Sequence, residues 1–259
     1  LIKLKEQKMV DFVRLGSLNK IHPLVKEFSP LSDNFDIKDS QGLYDAYRKP
    51  SVVATTCLGV TDWVFNTRKF DYCIIDEASQ VAMPVCIGPI RFCDRFILVG
   101  DHYQLPPLIT APLARKGLLK SLFRMLSEDF PDSVGELAHQ YRMCEDIMLL
   151  SNTLIYNGRL KCGSNLVSRQ RLKIPRPEQL QQHITKENIR PEHDWIKNIV
   201  FKETNRVIFL NHDTISDAKE RTLGDKVDNP VEGVLIYEIV ESLLACGVHE
   251  SSIGVMSLY

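Results

Sequence analysis

Asp76 and Glu77 stand side by side in "DEASQ", directly after the apolar run "FDYCII" that begins at residue 70. Burying one ionised carboxylate without a partner costs several kcal/mol, and two adjacent ones also repel each other. A metal ion, or a metal carried by a phosphate, offsets that cost. One carboxylate can then hold a hydrated Mg²⁺ while the other orients or deprotonates an attacking water. The plainer reading is a helix start, where acids sit well beside the positive end of the dipole.

Other residues suit the same chemistry. "LVGDHYQLPPL" (98–108) offers Gly100 for a sharp turn, Asp101 to cap it and Pro106-Pro107 to stiffen the exit. Gln104 is then held in a rigid loop, where its amide can hydrogen-bond both a terminal phosphate and a water. Arg142, in "LAHQYRM" (137–143), follows a strand-like segment and precedes a helix. A guanidinium there can neutralise charge on a transferring phosphoryl group, or simply form a surface ion pair. Thr55 and Thr56 in "VVATTCLG" offer donors to a phosphate, or close a buried strand. Asn229 and Glu232 in "NPVEGVLI" have the spacing of a capping box. "RLKCGSNLVSRQRLKIPR" (159–176) contains six Arg and Lys residues and no acid, which fits a phosphate-tracking surface or a solvated loop.

The elements that must carry these residues alternate. "SVVATTC" (51–57), "FDYCIID" (70–76), "RFILVGD" (95–101), "GELAHQY" (135–141), "RVIFLN" (206–211) and "SIGVMS" (252–257) read as strands, most of them apolar enough to be covered on both faces. Helical spacing marks 80–92, 116–130, 144–156 and 231–247. This pattern predicts an α/β fold with a mainly parallel sheet, whose ligands gather at the carboxyl ends of the strands. A boundary is expected near residue 132, and the polar section at 163–205, with Pro175, Pro177 and Pro191, reads as a long connection or insertion.

Composition narrows the classes further. A formal net charge of -1 excludes a polycationic tail, so a nucleic-acid surface must come from local placement of charge. Seven cysteines without a C-x-x-C pair point to reduced thiols rather than a zinc or iron–sulfur site in this segment. No apolar run is long enough to cross a membrane, so no membrane partner is expected.

"DEASQ", "GDHYQLPPL" and "QYRM", in this order and at this spacing, resemble motifs II, III and IV of superfamily 1 helicases, in the branch that moves 5′ to 3′. Within it, the wording is most similar to the eukaryotic replication nuclease-helicases that process flaps. The resemblance implies two RecA-like lobes of a P-loop NTPase motor, the first over 1–132 and the second over 133–259. It implies ATP and Mg²⁺ as cofactors, with Asp76 and Glu77 at the metal, Glu77 as catalytic base, Gln104 as γ-phosphate sensor and Arg142 as arginine finger. Thr55 and Thr56 would contact the nucleic-acid backbone, and Asn229 and Glu232 would lie near nucleotide in the second lobe. The function implied is an ATP-dependent single-stranded DNA translocase that serves Okazaki-flap and DNA-end processing in the nucleus, with the mitochondrion as a second compartment. A single-strand-binding protein is the expected partner, and an iron–sulfur cluster would belong to the parent outside this segment. An RNA helicase of the surveillance type shares every motif quoted. A catalytically inactive scaffold would show substitutions at the acid pair, the glutamine or the arginine, and all are intact.

No G-x-x-x-x-G-K-[ST] occurs in the chain, so the loop and lysine that cradle phosphates are expected upstream. The start at "LIKLKEQ" and the stop inside "SIGVMSLY" read as the middle of a longer motor. By itself this segment is not expected to hydrolyse ATP efficiently.

Overall fold

Parallel strand pairs joined by helical crossovers organise the chain. The computed structural model describes residues 1–33, 37, 39–186, 195–202, 204–215, 218–224 and 226–257. The chain divides into two compact units, Leu1–Gly135 and Glu136–Tyr259.

In the first unit, α1 (Ile2–Glu6) leads into β1 (Phe12–Arg14). Parallel neighbours need a crossover, and α2 (Ser40–Arg48) supplies it before β2 (Val52–Ala54) pairs with β1. Asp39 starts α2: its carboxylate accepts from the Gly42 N–H at 2.7 Å, satisfying one of the helix's open donors. The short α3 (Val64–Thr67) then brings Val64 and Phe65 onto Val13, Leu15 and Tyr47 in one buried cluster.

The second pair carries the acid motif. β3 (Phe70–Ile75) and β4 (Cys93–Leu98) run parallel, with Tyr72 opposite Arg95 and Ile75 opposite Leu98. The crossover between them is α4 (Met83–Ile90). Next come α5 (Pro112–Leu118) and α6 (Leu122–Asp129). The expected single helix over 116–130 is thus two, because the Ser121 hydroxyl caps a new start by accepting from the Arg124 N–H at 3.2 Å. Ile75, Ala78, Cys86 and Leu122 form the buried centre, with Cys57 and Cys73 packed against it. Burial pushes the Cys73 and Cys86 thiols up to about 11.

Coverage on both faces is not what these strands show. Tyr72 is 52% exposed, Ile74 67% and Ile97 48%, while Ile75 is buried. Helices α4 and α6 cover one face of β3–β4, whereas on the other Phe70 packs against Phe65 and the residues beyond it stay exposed. The sheets are likewise separate two-stranded pairs rather than one continuous sheet.

In the second unit, β5 (His139–Gln140) pairs in parallel with β6 (Lys161–Cys162), joined by α7 (Glu145–Leu154). The buried Asn152 closes the return: its amide donates to the Leu160 carbonyl and accepts the Leu160 N–H, both at 3.0 Å. Asn157 at φ 51° and Gly158 at φ 76° turn the chain between them. The polar section beyond 163 is more than a connection. It holds α8 (Asn165–Ser168), α9 (Gln179–Lys186) and a π-helical turn at Ile196–Val200. Leu180, Ile184 and Ile196 bury against Cys246 in a small core, with Ile174 and Trp195 packed around it.

A hairpin of β7 (Arg221–Leu223) and β8 (Lys226–Asp228) precedes α10 (Pro230–Ala245). Two expected strands do not form among the described residues: 206–211 and 252–257 make no ladder. A strand exists only through its neighbour's hydrogen bonds, and Phe209 and Met256 are 90% and 94% exposed. The expected strand at 135–141 shrinks to His139–Gln140 for the same reason. No helix among the described residues is long and apolar enough to cross a membrane.

Candidate nucleotide site

Both acid-bearing and glutamine-bearing loops leave the carboxyl ends of adjacent parallel strands. β3 hands over to Asp76-Glu77 and β4 to the turn at Gly100-Asp101. The strand ladder continues into these loops: the Val99 N–H donates to the Ile75 carbonyl and the Ala78 N–H to the Val99 carbonyl, each at 2.8 Å. Below Glu77 the chain is thus pinned to its neighbour, and the loops stay in register.

Asp76 and Glu77 are exposed rather than buried, so their charges sit in solvent at the strand mouth. The Asp76 carboxylate accepts from the Glu77 N–H at 3.0 Å. Glu77 occupies the left-handed region at φ 52°, where a non-glycine residue is strained. Its carboxylate accepts from the Gln80 amide at 3.0 Å. Neither acid makes an ion pair among the described residues. Two hard oxygen ligands with no cation partner fit a metal that completes its shell with phosphate and water. They do not fit an all-protein cage, since no group of three or more suitable side chains gathers among the described residues.

Gln104 is fixed by its own loop. Its amide donates to one oxygen of Asp101 at 2.9 Å, and the Tyr103 N–H donates to the other at 3.0 Å. Asp101 is tied in turn to the acid loop, because its N–H donates to the hydroxyl of the buried Ser79 at 3.3 Å. The Asp101 carboxylate takes one of the two N–H donors of the Gln104 amide, so a second N–H and the side-chain oxygen remain to donate to a phosphate and accept from a water.

Thr55 and Thr56 follow β2 at the entry to a 3₁₀ turn at Cys57–Thr61. Thr55 is half-buried and Thr56 exposed. The Thr56 carbonyl accepts from the Gly59 N–H at 2.8 Å, and a Cβ on Gly59 would run into the Thr55 hydroxyl. The pair is therefore presented by a tight turn at the end of a different parallel pair in the same unit.

In the second unit, Gln140 shapes the arginine loop. Its side-chain oxygen accepts from the N–H groups of Arg142 and Met143 at 2.9 and 2.8 Å, and its amide donates to the Met143 carbonyl at 2.7 Å. The Arg142 side chain is exposed and has no ion pair among the described residues. Tyr141 lies against Gly163, where a Cβ would overlap its ring.

Asn229 caps α10 by accepting from the N–H groups of Val231 and Glu232 at 3.1 and 3.3 Å. Glu232 accepts from the Asn229 amide at 3.2 Å and meets His212 Nε2 at 2.9 Å. The capping reading of this motif is thus realised, and Glu232 faces a cavity of about 450 Å³ lined also by Phe209, Leu235 and Ile239.

Sequence reading missed the residues that hold others: Ser79, Gln80, Gln140 and His212. For Gln80 a signal existed, since an acid and an amide three residues apart at a turn can bond each other. For Ser79 and His212 none did, because their partners come from other loops.

Parallel pairs with carboxylates and an oriented amide at their carboxyl ends define an α/β domain whose loops gather at one strand edge. Residues 118–259 match the family described as AAA domain, and residues 5–112 match a second family of the same description. The chain belongs to the AAA domain family. Among curated relatives, the DNA replication ATP-dependent helicase/nuclease DNA2 of Saccharomyces cerevisiae is 44% identical over 262 residues, covering 100% of this chain and 17% of that protein. The enzyme of that name from Homo sapiens is 37% identical over 262 residues, covering 100% of this chain and 24% of the relative. The DNA replication ATP-dependent helicase/nuclease JHS1 of Arabidopsis thaliana is 41% identical over 261 residues, covering 100% and 18%. The chain spans roughly a fifth of the length of the relatives it matches.

Proposed function

We propose that this chain is the middle of an ATP-driven motor that moves 5′ to 3′ along single-stranded DNA, within a nuclease-helicase that processes Okazaki flaps and DNA ends. In this reading residues 1–132 and 133–259 belong to two RecA-like lobes. The observation that carries it is the placement of Asp76-Glu77 and the Asp101-held Gln104 at the carboxyl ends of adjacent parallel strands. Relatives named as replication helicase/nucleases support the same class.

Each side chain then has a task. Asp76, with Glu77 beside it, would hold the Mg²⁺ of MgATP. Bound there, the ion neutralises charge on the phosphate oxygens. Glu77 takes the proton of the attacking water, its carboxylate turned by the Gln80 amide. Gln104, held by Asp101, positions that water with its side-chain oxygen and senses the terminal phosphate with its second amide N–H. Arg142 neutralises charge on the transferring phosphoryl group, and the Gln140 bonds to its loop set where it starts. Glu232 contributes near the nucleotide, oriented by His212 and Asn229. Thr55 and Thr56 contact phosphates of the strand. A single-strand-binding protein delivers that strand. The working compartment is the nucleus, with the mitochondrion as a second site.

The test is ATP hydrolysis by the full-length protein alone, with single-stranded DNA and with single-stranded RNA. Stimulation by DNA well above that by RNA is the expected result. Preference for RNA moves the substrate to RNA, and no hydrolysis under any condition overturns the motor.

A further inference from the structure

Ser79 places a hydroxyl where the chain is otherwise going into an apolar core. It directly follows Ala78, a member of the buried cluster with Ile75, Cys86 and Leu122, and it is itself only 2% exposed. Burying a hydroxyl is unfavourable unless a hydrogen bond offsets it. Here the bond comes from another loop: the Asp101 N–H donates to the Ser79 hydroxyl at 3.3 Å, across 22 residues of sequence. Gly100, which has no Cβ, lets the two backbones close to that distance.

Strand register does not need this bond. The Val99 N–H on the Ile75 carbonyl and the Ala78 N–H on the Val99 carbonyl already fix where the two loops begin. The glutamine side chain, however, is set by Asp101, whose two carboxylate oxygens take the Tyr103 N–H and the Gln104 amide at 3.0 and 2.9 Å. Asp101 is thus tied to Ser79 through its backbone and to Gln104 through its side chain. On the acid side Ser79 lies two residues from Glu77, within a turn closed by the Gln80 N–H on the Glu77 carbonyl at 2.9 Å.

We infer that Ser79 is a positioning residue, whose hydroxyl sets the Gln104 amide relative to the Glu77 carboxylate. The inference rests on the motor reading and deepens it. In that reading both groups act on one water: the Gln104 side-chain oxygen accepts from it and Glu77 takes its proton. Groups that share a reacting atom must be placed within about 0.5 Å, and a misplacement of about 1 Å can slow a reaction on the order of 100-fold. Ser79 does not meet the water or the nucleotide; it acts through Asp101 and then Gln104.

The test is Ser79→Ala in the full-length protein. Its kcat for ATP hydrolysis should fall roughly 10-fold or more, with KM for ATP within about twofold of wild type. In a Gln104→Ala background the same change should cause no further loss, because the group it positions is gone. Wild-type kcat with a lowered Tm would make Ser79 a packing residue and overturn the inference. Losses that multiply in the double variant overturn it too. Deuterium uptake by the peptide carrying Asp101 reads the link without any turnover: it should rise in Ser79→Ala, since the Asp101 N–H has lost its acceptor. Unchanged uptake overturns the link whatever the hydrolysis rate. Raised uptake in a protein whose wild type hydrolyses no ATP would instead overturn the motor reading, and the task of Ser79 with it, while the link between the loops stands.

Discussion

Gly100 lies so close to Ser79 that a Cβ added to it would sit 2.9 Å from the Ser79 nitrogen and 3.2 Å from its hydroxyl. The atoms crowded are mostly backbone, and they belong to the turn that carries Asp76 and Glu77. This contact joins the acid loop to the glutamine loop. Gly100→Ala should therefore push the two loops apart, costing about 1–3 kcal/mol of stability. A thermal melt of the variant checks it: an unchanged Tm would mean that the turn yields freely.

Glu77 combines a strained backbone with a proposed chemical task, and two substitutions separate them. Glu77→Gln keeps shape and the Gln80 neighbour but removes the base, so turnover of the full-length enzyme should fall on the order of 100-fold with nucleotide binding kept. Glu77→Gly should also lose turnover, yet gain about 1 kcal/mol of stability because glycine adopts φ 52° without strain. Wild-type turnover in Glu77→Gln would remove Glu77 from the chemistry.

Asp101 acts on Gln104 through a 2.9 Å bond, so the two should behave as one unit. Asp101→Ala and Gln104→Ala should each slow hydrolysis by roughly 10-fold or more, and the double variant should be no slower than the worse single one. Multiplying effects in this cycle would show that Asp101 serves the loop in another way.

Arg142→Ala removes a guanidinium whose loop is held from the backbone side by Gln140. Loop shape should survive, since none of those bonds uses the arginine side chain. Steady-state assays should show strand binding retained and strand-stimulated hydrolysis lost. Equal loss of both would place Arg142 on the strand instead.

Glu128 gives a pH signature in the first unit. Hydrogen bonds from Lys120 and Arg124 pull its carboxyl from the ordinary 4.5 down to about 2. A depressed folded-state value adds stability above the ordinary range, and that contribution is lost as pH falls from about 4.5 towards 2. Glu128→Gln should thus lower Tm slightly near neutral pH, less in high salt because the group is exposed. Near pH 2 the two proteins should melt alike. A Tm difference that persists there would mean that packing, not charge, sets the effect.

The sequence by itself determined part of the local order: the apolar runs that become β2, β3 and β4, the Asn229 start of α10, and that the acid pair and Gln104 follow neighbouring parallel strands. Those features depend on residues close along the chain, so periodicity and turn chemistry reveal them. It misjudged burial in treating β3 as covered on both faces, and it read 163–205 as a connection or insertion without seeing its small core. Coverage depends on which distant helices arrive, and the apolar residues of 163–205 share no period because Ile174, those of α9 and those of a π-helical turn meet only where they pack against Cys246. Only tertiary structure decided which groups hold the proposed catalytic ones. Ser79 reaches Asp101 across 22 residues and His212 reaches Glu232 across 20. A hydrogen bond of that kind leaves no trace in local spacing, because its geometry is made by two loops that meet only when the strands pair and the helices pack.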